Sequence, residues 1–331
     1  MENTNELILT GVYPVMNYYV GIDVSKPLLD VYWNNEYHQI SNDAEGLKSL
    51  LTLLAHSEST GNKIALVTCE ASGGYERLLV KTLRNAAYPV HVAHANKVRA
   101  FAKAKGWLAK TDKIDAKVIS LYAQVMEVLP AKYPLTECQE LIKEVVKRRE
   151  ELCDTRAQEK NRLDKVSNPK IKKSIKAHIK WLDKSIDELS SELERLSEDT
   201  EVKNKIELLT SVPSIGVITA SYIVAYLPEL GSLSNKEIAA LVGVAPYAHD
   251  SGLAKGKRFI QGGRQRVRNC IFMSALSSLR WNPQLRAVYD RLVARGKPAK
   301  LALTAIMRKL IIMLNSIMKR NTPWLKQEAT G

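Results

Sequence analysis

Cysteine is scarce and scattered in this chain: Cys69, Cys138, Cys153 and Cys270 show no Cys-x-x-Cys spacing. That excludes a zinc ribbon or a disulfide framework and leaves plain thiols. Histidine offers no metal pair. His91 and His94 are three apart, and the surrounding Tyr88 to Val92 reads as a strand, where this spacing turns the rings to opposite faces. No run of about 18 apolar residues is present to cross a bilayer. Leu301 to Met318 comes nearest; Arg308 and Lys309 break it, and its apolar residues recur at helical spacing, as on an amphipathic helix packed on a core. The opening Met-Glu-Asn-Thr-Asn-Glu lacks the basic and apolar regions of a secretory signal, so the chain reads as cytoplasmic, with no membrane partner.

Acid is short relative to base. Lys and Arg exceed Asp and Glu by 14, which favours a polyanionic partner, since each cation placed on a phosphate releases a condensed counterion. Nucleic acid ranks ahead of an anionic membrane surface. At 45% hydrophobic residues the chain buries real cores, and 331 residues suffice for two or three domains.

Three regions follow from the patterning. The first, 18–130, alternates strand and helix signals. Tyr18 to Val24 and Leu29 to Trp33 form a hairpin across Ser25-Lys26-Pro27, Ala44 to His56 and Tyr75 to Ala86 are helices, and Ile64 to Cys69 and Pro89 to Ala93 are buried strands. This is an α/β layer domain. The second, 135–200, is long charged helix. In it Ile179, Leu182, Ile186, Leu189, Leu193 and Leu196 make a heptad seam, expected to form a coiled-coil arm paired within the chain or between chains. The third, 205–325, is mostly α. It opens on Ser-Val-Pro-Ser-Ile-Gly, Ser211 to Gly216, a tight turn between helical segments that resembles a helix-hairpin-helix element, in which Ser214 and Gly216 would meet a DNA phosphate.

Carboxylates recur where an α/β sheet collects function. Asp23 and Glu70 each end a buried strand, outside which ligands bind in open α/β sheets. Asp112 and Asp115, three apart, share one face of a helix, although Thr111 or Asp112 also suits an N-cap. Lys97, Arg99, Lys103, Lys105, Lys110, Lys113 and Lys117 surround that pair, so the acids lie in a phosphate-attracting surface. Four carboxylates there suit Mg²⁺ or Mn²⁺, hard cations that clamp the attacking and leaving oxygens of a phosphoryl displacement. Farther on, Ser251 lies in Asp-Ser-Gly, within a Gly-rich stretch bearing Lys255, Lys257, Arg258 and Arg264. A hydroxyl among cations is a candidate nucleophile, though Asp-Ser-Gly is also ordinary turn chemistry.

Taken in order, Gly-Ile-Asp-Val-Ser (Gly21 to Ser25), Cys-Glu-Ala-Ser-Gly-Gly-Tyr (Cys69 to Tyr75), Lys-Thr-Asp-Lys-Ile-Asp-Ala (Lys110 to Ala116), Ser211 to Gly216, Asp250 to Gly252, and the closing Gly-Lys-Pro-Ala-Lys and Met-Arg-Lys-Leu resemble the DEDD-type insertion-sequence transposases, the family that includes the Piv DNA invertases. The resemblance runs from about Tyr18 nearly to the end of the chain. It implies a RuvC-like, RNase H-type N-terminal domain whose metal-binding acids are Asp23, Glu70, Asp112 and Asp115, and a C-terminal transposase domain in which Ser251 is the nucleophile that joins covalently to DNA. It also implies a composite site shared between protomers of a dimer or tetramer, and, in the insertion-sequence branch, a structured guide RNA encoded beside the gene.

The reading is therefore a recombinase that cleaves and rejoins DNA, at the element's ends and its target. Lys110, Lys113, Ser214, Gly216, Lys255, Lys257, Arg258 and Arg264 are its expected nucleic-acid contacts. A RuvC-like nuclease would use the four acids without Ser251, and a non-catalytic nucleic-acid-binding protein would use neither.

Overall fold

A computed structural model of the chain describes residues 16–107, 109, 111–128, 135–248, 256 and 258–324. It divides into two compact units, Met1–Lys132 and Tyr133–Gly331. Among the described residues the first holds a five-stranded mixed sheet and the second is helical apart from one short ladder.

In the first unit the strands are β1 (Asn17–Val24), β2 (Leu28–Trp33), β3 (Glu36–Ser41), β4 (Lys63–Glu70) and β5 (Val90–Ala93), in spatial order β3-β2-β1-β4-β5. The pairs β1–β2 and β2–β3 run antiparallel, while β4 runs parallel to both β1 and β5. This mixed α/β sheet is consistent with a RuvC-like domain. The strand β3 was not among the expected ones. It is a polar, half-exposed edge strand reached through Asn34 and Asn35, both at positive φ (48° and 63°), the geometry of a tight hairpin turn.

Side chains alternate across β1, and each face meets different helices. Val20, Ile22 and Val24 pack with Val67 and Cys69 against Leu47, Leu50 and Leu54 of α1 (Ala44–Ser59) and Leu79 and Leu83 of α2 (Glu76–Asn85). The opposite face carries Gly21 and Asp23 and is covered by α4 (Asp112–Val125). There the backbones approach so closely that a Cβ on Gly21 would lie 2.2 Å from the Ala116 carbonyl oxygen, and the Ser120 hydroxyl donates to the Tyr19 carbonyl at 2.6 Å. Helix α3 (Ala95–Ala104) follows β5. His94 is its N-cap, accepting from the Asn96 N–H, rather than a strand residue.

The second unit begins with two long antiparallel helices, α5 (Glu137–Leu163) and α6 (Pro169–Ser197). The heptad residues Leu182 and Ile186 of α6 pack on Leu152 of α5, and Arg156 reaches Asp183 at 2.9 Å while Arg149 donates to Ser190. Six helices follow: α7 (Lys203–Thr210), α8 (Val217–Tyr226), α9 (Asn235–Val242), α10 (Gln265–Trp281), α11 (Pro283–Ala294) and α12 (Ala299–Arg320). Helix α12 has the length and apolarity to cross a membrane, yet Ile306, Leu310, Ile311 and Leu314 are fully buried in the shared core of this unit. Between α9 and α10 a two-residue ladder pairs β6 (Pro246–Tyr247) with β7 (Phe259–Ile260). Below it Gly243 and Gly263, both at positive φ, touch: a Cβ on Gly263 would lie 2.3 Å from the Gly243 nitrogen.

Candidate active site

Two elements bring three of the expected acids together. Asp23 stands near the end of β1 on the face covered by α4, two residues beyond Gly21. Thr111 caps α4 through a hydrogen bond from the Ile114 N–H, so Asp112 is the first helical residue and Asp115 follows one turn on. Neither acid is consumed as the cap. A carboxylate oxygen from each of Asp23, Asp112 and Asp115 lies within 4.8 Å of the other two, an arrangement able to hold a metal ion. Burial raises the Asp23 carboxyl above its ordinary range, the charges of Asp115, Asp112 and Asp30 add to the rise, and the Val24 N–H, donating to it at 3.0 Å, opposes it.

Glu70 is the last residue of β4. The register pairs Ile22 with Cys69, so Asp23 and Glu70 fall on the next rung, on the same sheet face; Glu70 is not one of the three oxygens that meet. The Ser-Gly-Gly that follows has its own task. The Glu76 carboxylate accepts from the Ser72 N–H, the Ser72 hydroxyl and the Gly74 N–H at 2.8–3.1 Å. Burial works to raise Glu76, but these bonds and its own backbone N–H prevail and hold it below the usual carboxylate range. The chain thus leaves β4 along a fixed path.

One acid of this face was not anticipated. Asp30 of β2 pairs directly with Asp23 in the antiparallel register and is only 3% exposed. The Tyr37 hydroxyl and Gln39 Nε2, from β3, both donate to its Oδ1, the latter at 3.0 Å. The hydrogen bond to Asp30 pushes the Tyr37 phenol up to about 12, with burial and the charges of Asp30 and Asp112 adding to it. Cations rim the cluster: Lys113 lies 5.4 Å from the Tyr37 ring centroid, and Lys117 stands 5.7 Å from that of Tyr32 and 5.8 Å from that of Trp107. A second possible group, Cys138, Asp199 and Glu201, lies in the helical unit, where Asp199 already accepts from the Glu201 N–H.

The other expected residues divide. Ser251, Lys110, Lys255 and Lys257 lie outside the described residues. Arg258 is exposed. Arg264 is engaged within the fold, forked onto both Glu229 oxygens at 2.6 Å and donating to the Tyr226 carbonyl at 2.9 Å. In the turn before α8, Ser214 adopts φ +90° and its buried hydroxyl has no hydrogen-bond partner among the described residues. Gly216 caps α8 with no side-chain bond, and a Cβ there would meet nothing within 4 Å. That helix end is open to approach.

Comparison with known proteins gives the family. A family model described as "Transposase" matches residues 20–167, and one described as "Transposase IS116/IS110/IS902 family" matches 206–290. A pilin gene-inverting protein of Moraxella bovis is 27% identical over 319 residues, 93% of this chain and 98% of that one, and its Moraxella lacunata counterpart matches equally. An uncharacterized 43.6 kDa protein of the insertion element IS110 of Streptomyces coelicolor is 31% identical over 117 residues, 35% of this chain and 29% of its own length. With two transposase models matched in succession and the gene-inverting proteins aligned along almost the whole length, this chain belongs to the IS110-type transposases, a family of DNA recombinase enzymes.

Proposed function

We propose that the protein cleaves and rejoins DNA at the ends of its element and at the target, using Asp23, Glu70, Asp112 and Asp115 as metal-binding acids and Ser251 as nucleophile. The observation that carries this reading is the convergence of Asp23 with Asp112 and Asp115. Three carboxylates packed this closely repel one another, which adds to the burial that raises the Asp23 carboxyl, and an all-oxygen donor set fits Mg²⁺ or Mn²⁺. When bound, such ions neutralise the charge that develops on a phosphate under attack.

The chain's own groups do the rest. The Ser251 oxygen forms a bond to phosphorus as a deoxyribose oxygen leaves, and the incoming strand's hydroxyl then displaces the serine, so no phosphodiester is lost. Lys110, Lys113, Lys255, Lys257 and Arg258 neutralise backbone phosphates, and Ser214 and Gly216 present the α8 N-terminus to another, as in a helix-hairpin-helix. The division of labour is a RuvC-like domain over 18–130, a coiled-coil arm over 135–200 and a transposase domain over 205–325. A composite site in a dimer or tetramer, a structured guide RNA and action in the cytoplasm complete the proposal.

The test is a plasmid carrying the element's ends, incubated with the protein, Mg²⁺ and co-expressed RNA, and examined on denaturing gels for protein joined to DNA. Asp23→Ala and Ser251→Ala are each expected to abolish the adduct while DNA binding persists. Cutting without any adduct would replace strand exchange by hydrolysis.

A further inference from the structure

The charge of α5 and α6 is segregated along their length. Between Lys160 and Lys184 the chain carries nine Lys or Arg against two acids, whereas Ser185 to Glu201 carries seven acids and one Arg. The basic part is the end where α5 turns into α6. Helical geometry gathers Lys173, Lys176 and Lys180 on one face of α6, away from the Leu182 and Ile186 seam, Lys184 extends the row, and Lys172 flanks it, exposed at the seam's own position two heptads before Ile186. Lys173 to Lys184 spans about 16 Å at about 1.5 Å per residue.

These cations are not used by the fold. Ion pairs at this end join Arg162 and His178 to Glu159 at 2.6 and 3.6 Å, Arg156 to Asp183 at 2.9 Å and Lys184 to Glu188 at 3.7 Å. Among the described residues Lys170, Lys172, Lys173, Lys176 and Lys180 enter no ion pair, and each is exposed. Beside the row stands Trp181, 54% exposed and stacked on His178 with ring centroids 6.0 Å apart. An open hollow of about 680 Å³ borders it, with Ala177, Lys180 and Lys184 in its lining toward the basic end and Asp187, Glu188 and Ser191 at the other. A large aromatic left half in water forgoes part of the free energy of burying it. A second basic tip would be repelled by this face, whereas a polyanion with exposed aromatic rings satisfies both the lysines and the tryptophan.

We propose that the basic end of α6 is a nucleic-acid-binding surface, in which Lys172, Lys173, Lys176 and Lys180 hold the phosphates of an unpaired strand and Trp181 stacks on one of its bases. The inference takes its ligand class from the recombinase reading, but it is tested by binding alone. The full-length protein is titrated against a labelled single-stranded oligonucleotide, as DNA and as RNA, and against the same DNA as a duplex, over a range of salt. Replacing all four lysines (Lys172→Gln, Lys173→Gln, Lys176→Gln, Lys180→Gln) is expected to lower the slope of log K against log salt for single strands by about 3, at roughly 0.7 per phosphate contact. The matching four Lys→Arg changes restore it, which separates charge from folding. Trp181→Ala is expected to weaken single-strand binding roughly tenfold, within the range for one lost stack, and to leave the duplex unchanged.

An unchanged salt slope in the four-glutamine variant overturns the proposal. So does a Trp181→Ala protein that binds single strands as before or loses duplex affinity equally. A preference between RNA and DNA among the single strands identifies the strand and supports the surface. Asp23→Ala protein, inactive in strand exchange, is expected to keep the full slope, so failure of the tip and failure of the reaction remain separately visible.

Discussion

Asp30 places a buried carboxylate opposite Asp23, in a strand whose other residues are apolar or aromatic. Its cost is offset by the two hydrogen bonds from β3, and removal of the acceptor would leave the Tyr37 and Gln39 donors to find water. In Asp30→Asn the Tyr37 phenol is expected to titrate nearer 10 than 12, read by absorbance difference against Tyr37→Phe, which lacks the group. The folded protein holds that proton more tightly than the unfolded chain. The stability it confers is therefore complete below about pH 10 and is lost as pH rises through about 12, and thermal melts across this window should fall more steeply for the native protein than for Tyr37→Phe. Asp23, Asp112 and Asp115 were legible because each sits beside a recognisable boundary, a strand end or a helix start. Asp30 was not, since it interrupts an otherwise apolar run and its partners lie seven and nine residues away on a strand that was itself missed.

Helix α4 acts on the site through one glycine. In Gly21→Ala the new methyl meets the Ala116 oxygen and the Ser120 nitrogen, at 2.2 and 2.3 Å, and both are backbone atoms that cannot rotate away. The expected result is α4 displaced from β1, a loss of about 1–3 kcal/mol, a Tm several degrees lower, and weakened divalent-metal binding by calorimetric titration, because Asp112 and Asp115 travel with the helix. A variant that keeps its metal affinity would show that the carboxylates do not depend on this packing. The strands β1, β2 and β4 were readable because both faces of the sheet bury apolar side chains. Polar β3 was hidden by its edge position, and the seam from Ile179 to Leu196 announced a partner helix without saying that α5 of the same chain supplies it.

At the scale of the molecule, each unit has a core of its own: Val20, Ile22 and Leu50 belong to one, Ile206, Ile271 and Leu310 to the other. Calorimetry of the full chain is expected to resolve two transitions, of which Mg²⁺ raises only the one assigned to the first unit, by about 2.7 kcal/mol at a hundredfold excess over its Kd. Both transitions rising together would place the ion elsewhere. The glycine contact between Gly243 and Gly263 fixes two anchor points. Because two backbones touch where the intervening stretch begins and ends, with the Pro246–Tyr247 and Phe259–Ile260 rungs just above, the distance between its feet is set by the scaffold rather than by its own residues. Helices α9 and α10 therefore hold both feet of the stretch that carries Ser251, and a methyl at Gly263, which would lie 2.3 Å from the Gly243 nitrogen, is expected to lower strand joining although Ser251 itself is unchanged.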